Sequence, residues 1–192
     1  MLVIDCCIRG DESATRQYYR SYLGTLPADT EIEILELSGL GLDYLDLHTL
    51  EKRSALIEKG DFSDEMFALA RQFRDADEIL IAAPFWDLSF PALLKVYFEQ
   101  ICVTGLTFAY TDTGAEGLCK ARRLLFFSSC GGFTGGHHLG YEYVASLAAM
   151  LGITNCVPYI IEGLDINPLR RSELVADAIA KLHTTTQITT QI

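Results

Sequence analysis

An α/β fold is expected, with five parallel strands covered by helices on both faces. Three observations predict it. Short apolar runs at 2–6, 78–83 and 123–128 have the composition of buried strands. Segments with apolar residues at helical spacing lie between them. Strand and helix patterns alternate along the chain, as a doubly covered sheet requires. With 192 residues, 49% of them hydrophobic, the chain can bury a core without disulfides or metals. One domain over 1–183 is expected, followed by a polar, Thr-rich tail over 184–192.

The elements follow in order. Leu2–Cys6 reads as the first strand and enters a polar stretch, 7–12. Ser13 can cap a helix whose apolar positions include Tyr18, Tyr19, Tyr22 and Leu23. Thr30–Leu37 alternates with period two in its first half, as a strand near a sheet edge does. A loop with Gly39 and Gly41 precedes helices at 49–59 and 63–75, the second starting at Ser63. Glu78–Ala83 is a buried strand. Phe90, Leu93, Leu94, Tyr97, Phe98 and Ile101 then mark the clearest helix, capped by Ser89 with Pro91 in its first turn. Thr107–Thr111, followed by Asp112, Gly114 and Gly117, is a small excursion with turns. Arg123–Ser128 is a strand, and five glycines from Gly131 to Gly140 make a loop before a helix at 141–151. The last strand lies within 153–161. The last helix, 168–183, places Leu174, Val175, Ala178, Ile179 and Leu182 on one face.

Charge narrows the partners. A net charge of −11 repels phosphate backbones and anionic lipid, so neither a nucleic-acid nor a membrane partner is expected. No basic region followed by a long apolar stretch opens the chain, and no apolar run approaches the roughly 20 residues of a membrane helix. Cysteines 6, 7, 102, 119, 130 and 156 show neither C-x-x-C nor metal spacing. Reduced thiols, no metal and a cytoplasmic location are expected.

In a sheet of this kind ligands collect beyond the C-terminal strand ends. Three loops qualify. Cys6–Arg16 leads into a helix N-terminus, where free amides and the helix dipole favour an anion. Ser13 and Thr15 add hydroxyls, Arg9 and Arg16 positive charge, and Asp11 and Glu12 oppose an anion unless they point away. An ordinary capped helix would look the same. In Pro84-Phe85-Trp86-Asp87-Leu88 the aromatics either flank a planar ring, plug the end of the core or pack a dimer interface. Ser129-Cys130-Gly131-Gly132 lets backbone approach a ligand closely. Downstream, His137, His138 and Tyr141 are candidates to protonate a substrate, although loop histidines are also common surface residues.

Ala82–Phe98, then Gly105–Thr111 and Gly114–Leu118, resemble the flavodoxin-like NAD(P)H:quinone oxidoreductases and FMN-dependent NADH azoreductases. The resemblance implies a flavodoxin-like sheet of order 2-1-3-4-5 and a homodimer with a flavin at each interface site. On these positions Ser13 and Thr15 match the hydroxyls that hold the FMN phosphate. Phe85, Trp86, Asp87 and Leu88 match the segment along the isoalloxazine, and Ser129, Cys130, Gly131 and Gly132 the loop at its pyrimidine edge. Cys6 stands where a phosphate-binding serine is usual, Ala14 where a polar side chain is common, Asp87 for a usual Asn and Cys130 for a frequent Arg or Thr.

The function expected from this resemblance is ping-pong hydride transfer through FMN, from NADH or NADPH to a small flat aromatic acceptor such as a quinone or azo compound. An FMN electron carrier of flavodoxin type is the first alternative, although its Thr- and Gly-rich phosphate loop is absent. A cofactor-free binding module is the second, kept open by Asp11, Glu12 and Ala14. Phe85, Trp86, Phe90, Phe108 and Tyr110 exceed what one sheet end needs to seal its core, which also points to the dimer.

Overall fold

Alternate residues of each central strand feed opposite cores. Leu2 and Ile4, Ile79 and Ile81, and Leu124 and Phe126 pack into one cluster, while Val3, Leu80 and Leu125 pack into the other. The computed structural model describes the backbone of residues 1–189 and the side chains of residues 1–183. Strands β1 (Leu2–Asp5), β2 (Glu33–Glu36), β3 (Ile79–Ala82), β6 (Leu124–Ser129) and β7 (Cys156–Ile161) form a five-stranded sheet of order β2-β1-β3-β6-β7. All its pairings are parallel. This is the expected 2-1-3-4-5 order, with β4 (Phe108–Thr111) and β5 (Gly114–Gly117) paired outside it as an antiparallel hairpin.

Helices α1 (Ala14–Leu23) and α6 (Arg171–Thr189) cover one face. Tyr18 and Tyr22 of α1 meet Phe127 and Tyr159 there, with the Phe127 and Tyr159 rings stacked at 4.6 Å. Helices α3 (Ala68–Asp75), α4 (Ala92–Ile101) and α5 (Leu139–Met150) cover the other. Helix α2 (Leu47–Glu58) sends Arg53 to the carbonyls of Glu99 and Cys102, satisfying the C-terminal end of α4.

Several expected boundaries move. Helix α4 starts at Ala92, not at a Ser89 cap. The residue before a proline avoids helical backbone, so Phe90 stays outside and Pro91 takes the cap position. Ser89 instead closes a tight turn with Trp86 through two backbone bonds of 2.8 and 3.2 Å. Ser63 does not start α3: Asp64 accepts from the Met66 amide, and a short 3-10 turn at 65–67 precedes the helix. Helix α5 begins at Leu139, two residues early, because His138 caps it. The backbone of α6 is helical through Thr189, into the stretch expected as a tail; residues 190–192 lie outside the described residues.

Asp87 and Leu88, at the centre of the Trp86–Ser89 turn, have φ of 50° and 66°. A two-residue hairpin turn with both central φ positive favours Asn-Gly, and a leucine there is strained. Leu88→Gly is therefore expected to stabilise the protein by up to about 1 kcal/mol. A urea midpoint at or below wild type, with both proteins dilute enough to be monomers, would refute the strain.

Candidate functional site

Parallel strands aim their carboxyl ends at one edge of the sheet, and strand order reverses at β1. Beyond those ends lies a cleft of about 140 Å³. The first loop contributes Ile8, Arg9, Ser13 and Ala14, the second Pro84, Phe85 and Trp86, and the third Ser129, Cys130 and Gly131. Ser13 caps α1, accepting from the Arg16 amide at 3.4 Å. The first-turn amides of α1 have no intrahelical carbonyl to bond, which gives this end of the cleft a positive local potential.

Five residues expected to bind the cofactor do not line the cleft. Thr15 is fully buried and shares a 2.7 Å hydrogen bond with the Ser129 hydroxyl, tying α1 to the end of β6. Asp87 and Leu88 project at the exposed tip of the turn. Gly132 receives the Gly163 amide on its carbonyl, beside the cleft. Cys6 is buried in the core on the α4 side, and burial pushes its thiol up to about 12. Cys130 is also held protonated, at about 12, by burial and then by Glu162. Neither thiol is an activated nucleophile.

The charges of the first loop are arranged differently from the expectation. Arg16 does not face the cleft's ligand space; it pairs with Asp5 at 2.7 Å and Glu36 at 3.3 Å, under the loop. Burial of Asp5 draws it there. Asp11 points outward to Arg20, at 2.7 Å, so its charge is met away from the cleft.

Nor do the aromatics cluster as expected. Phe85 and Trp86 line the cleft. Phe90 packs on Phe98 and Tyr143, and Phe108 is buried in the protomer's own core. Phe108 and Tyr110 share one face of the hairpin, ring to ring at 5.5 Å; Phe108, at the base, is buried, and Tyr110, further out, is exposed.

His137 is exposed, 3.8 Å from Glu142. His138 is buried behind Phe85, ring to ring at 4.4 Å. Its Nδ1 accepts from the Tyr141 amide, so Nε2 carries the proton and donates to the Ser128 hydroxyl at 3.2 Å. Tyr141 donates to the Cys156 carbonyl. His138 and Tyr141 line a shallower depression of about 550 Å³ beside β7, with Glu142 and Glu162.

Burial lowers the pKa of His138 below 6.5. The folded state then binds its proton more weakly than the unfolded chain, so this stabilisation is complete above 6.5 and is lost as pH falls below it. Between about pH 7.5 and about pH 5.5 the thermal midpoint should fall more for wild type than for His138→Asn. Parallel profiles would show that His138 does not titrate with unfolding.

A fourth wall was missed by sequence reasoning. Leu164, Asp165 and Arg171 also line the cleft. The loop after β7 is laced to the third loop by Leu164 N–H to Cys130 O at 3.1 Å and Asp165 N–H to Gly131 O at 2.9 Å. A Cβ at Gly131 would lie 2.3 Å from Asp165 Oδ2, so a side chain here would have to push the Asp165 carboxylate aside. The signal was available: the rule that picks out C-terminal strand ends applies to the end of β7 as well.

The family described as a flavodoxin-like fold matches residues 1–185. The chain belongs to that family. This flavodoxin-like chain is 37% identical over 155 residues to a Clostridium acetobutylicum protein named FMN-dependent NADH:quinone oxidoreductase 2, covering 78% of this chain and 76% of that one. A Pseudomonas syringae pv. tomato protein named FMN-dependent NADH:quinone oxidoreductase 1 is 31% identical over 189 residues, covering 93% and 94%. The crystal structure of an FMN-dependent NADH-azoreductase from Bacillus anthracis in complex with FMN superposes with a TM-score of 0.80. At 21% identity, covering 98% of this chain and 97% of that one, it shows a shared fold.

Proposed function

We propose that the protein is an FMN-dependent NADH oxidoreductase that reduces quinones or azo compounds. One observation carries this reading. The cleft at the strand-order reversal joins a helix N-terminus to an aromatic wall and a glycine-containing floor, in a chain related to proteins named for that activity.

The cleft residues suit FMN. Ser13 and the first-turn amides of α1 suit a terminal phosphate, with Arg9 adding charge. Trp86 and Phe85 offer an apolar wall to a flat ring, and Gly131 leaves room for close backbone approach. No G-x-G-x-x-G follows β1, so the site is not built for a pyrophosphate. Bound FMN would supply the ring that takes hydride from NADH and passes it to the acceptor. The chain's part is to hold the phosphate at α1, to orient the ring between the second and third loops, and to exclude water with Trp86. Thr15 and His138 support those loops from behind, through Ser129 and through Phe85.

A homodimer belongs to the same proposal. Trp86, Leu88, Phe133 and Ile166 are exposed apolar residues on the loops at this edge, and a second copy would cover them. A cytoplasmic location is supported by six free cysteines. Among the described residues no helix is long and apolar enough to cross a membrane.

The test uses purified protein. It should retain FMN, be bleached by NADH under anaerobic conditions, and recover colour on adding a quinone or azo dye. Retention without bleaching would favour an electron carrier, and a colourless protein that ignores added FMN would favour a binding module. Light scattering should give a dimer, and Leu88→Glu should lower both dimer content and turnover. A monomer with full turnover would refute the interface.

A further inference from the structure

We propose that Asp165 and Arg171 form a charge pair that sets the reduction potential of the flavin in the cleft. This rests on the reading of the cleft as an FMN site. Both residues line the cleft, and Arg171 Nη1 holds Asp165 Oδ1 at 2.9 Å. The other carboxylate oxygen rests against Gly131, on the floor of the cleft, and the loop that carries it is bonded to that floor through the backbone. The backbone that carries Asp165 is therefore fixed at the cleft, while its carboxylate is paired but open to water. Together the two charges of the pair nearly cancel, and losing either one leaves a full charge of known sign at one place.

Reduction of FMN adds two electrons and, near neutral pH, fewer than two protons, so the reduced ring carries more negative charge. A cation beside it favours the reduced form and an anion the oxidised form. Asp165→Asn leaves Arg171 without its counter-charge and raises the potential. Arg171→Gln leaves Asp165 without its counter-charge and lowers it. A merely structural pair would move both variants the same way, through a looser site.

The measurement is the ratio of dissociation constants for oxidised and dithionite-reduced FMN, by anaerobic fluorescence titration. Asp165→Asn should shift that ratio about tenfold toward reduced FMN, which is about 30 mV for a two-electron couple, and Arg171→Gln by a similar factor the other way. Both shifts should shrink at ~1 M salt, because the pair is partly exposed. Arg171→Lys keeps the charge and should stay near wild type, which guards against misreading a folding defect. Glu173→Gln changes net charge as Asp165→Asn does, but Glu173 pairs with Arg170 outside the cleft and should shift nothing. Shifts of the same sign, no shift, or an equal shift in Glu173→Gln would overturn the inference while leaving the FMN reading intact. A wild type that binds no FMN would overturn both.

Discussion

Ser13→Asp should nearly abolish FMN binding while keeping the cap of α1. Serine and aspartate are about equally good helix caps, and a carboxylate at an N-terminus also suits the helix dipole. The cap bond from the Arg16 amide therefore survives the change. The same carboxylate occupies the position proposed for the FMN phosphate. Two like charges about 4 Å apart repel by about 4 kcal/mol at an effective dielectric near 20, which is two to three orders of magnitude in affinity. Ser13→Ala, which removes one hydroxyl, should cost FMN only about 1–2 kcal/mol, and it loses the cap as well. Fluorescence titration with FMN and a urea melt separate the two effects. Undiminished binding by Ser13→Asp would place the phosphate elsewhere.

Arg16→Met should destabilise the fold by about 3–5 kcal/mol, a large part of a domain's total stability. Asp5 is 1% exposed and accepts from Arg16 at 2.7 Å, from the Tyr19 hydroxyl at 2.8 Å and from the Cys7 amide at 2.7 Å. Removing the guanidinium leaves a buried carboxylate with no counter-charge. Adding Asp5→Asn should recover part of the loss, since a buried pair costs most when only one partner is removed. Strict additivity of the two single changes would mean that the residues are not coupled. The bond to the Cys7 amide also starts the first loop on its course, so FMN binding should weaken along with stability.

Much of this architecture was legible in the chain itself. The apolar runs of β1, β3 and β6 and the helical spacing from Leu93 to Ile101 express burial directly, because a side chain's hydrophobicity is a local property. The order of those elements then selects a parallel sheet, and the parallel sheet selects the edge where three of the loops meet. The placement of Arg9, Ser13, Phe85, Trp86 and Gly131 around one cleft follows from that reasoning alone.

Tertiary structure decided what depends on partners distant in sequence. Arg16 reads as positive charge offered to an anion until Asp5 and Glu36 are seen to hold it under the loop. His138 reads as a proton donor until Phe85 is found between it and the cleft and Ser128 and Tyr141 on its two nitrogens. Phe108 reads as interface until the hairpin turns it into the core. Asp165 and Arg171 reach the cleft only because the end of β7 is bonded to the third loop. Hydrophobic pattern and helix capping are short-range and are written residue by residue. Which charge meets which depends on loop paths that close over tens of residues, and only the assembled sheet specifies them.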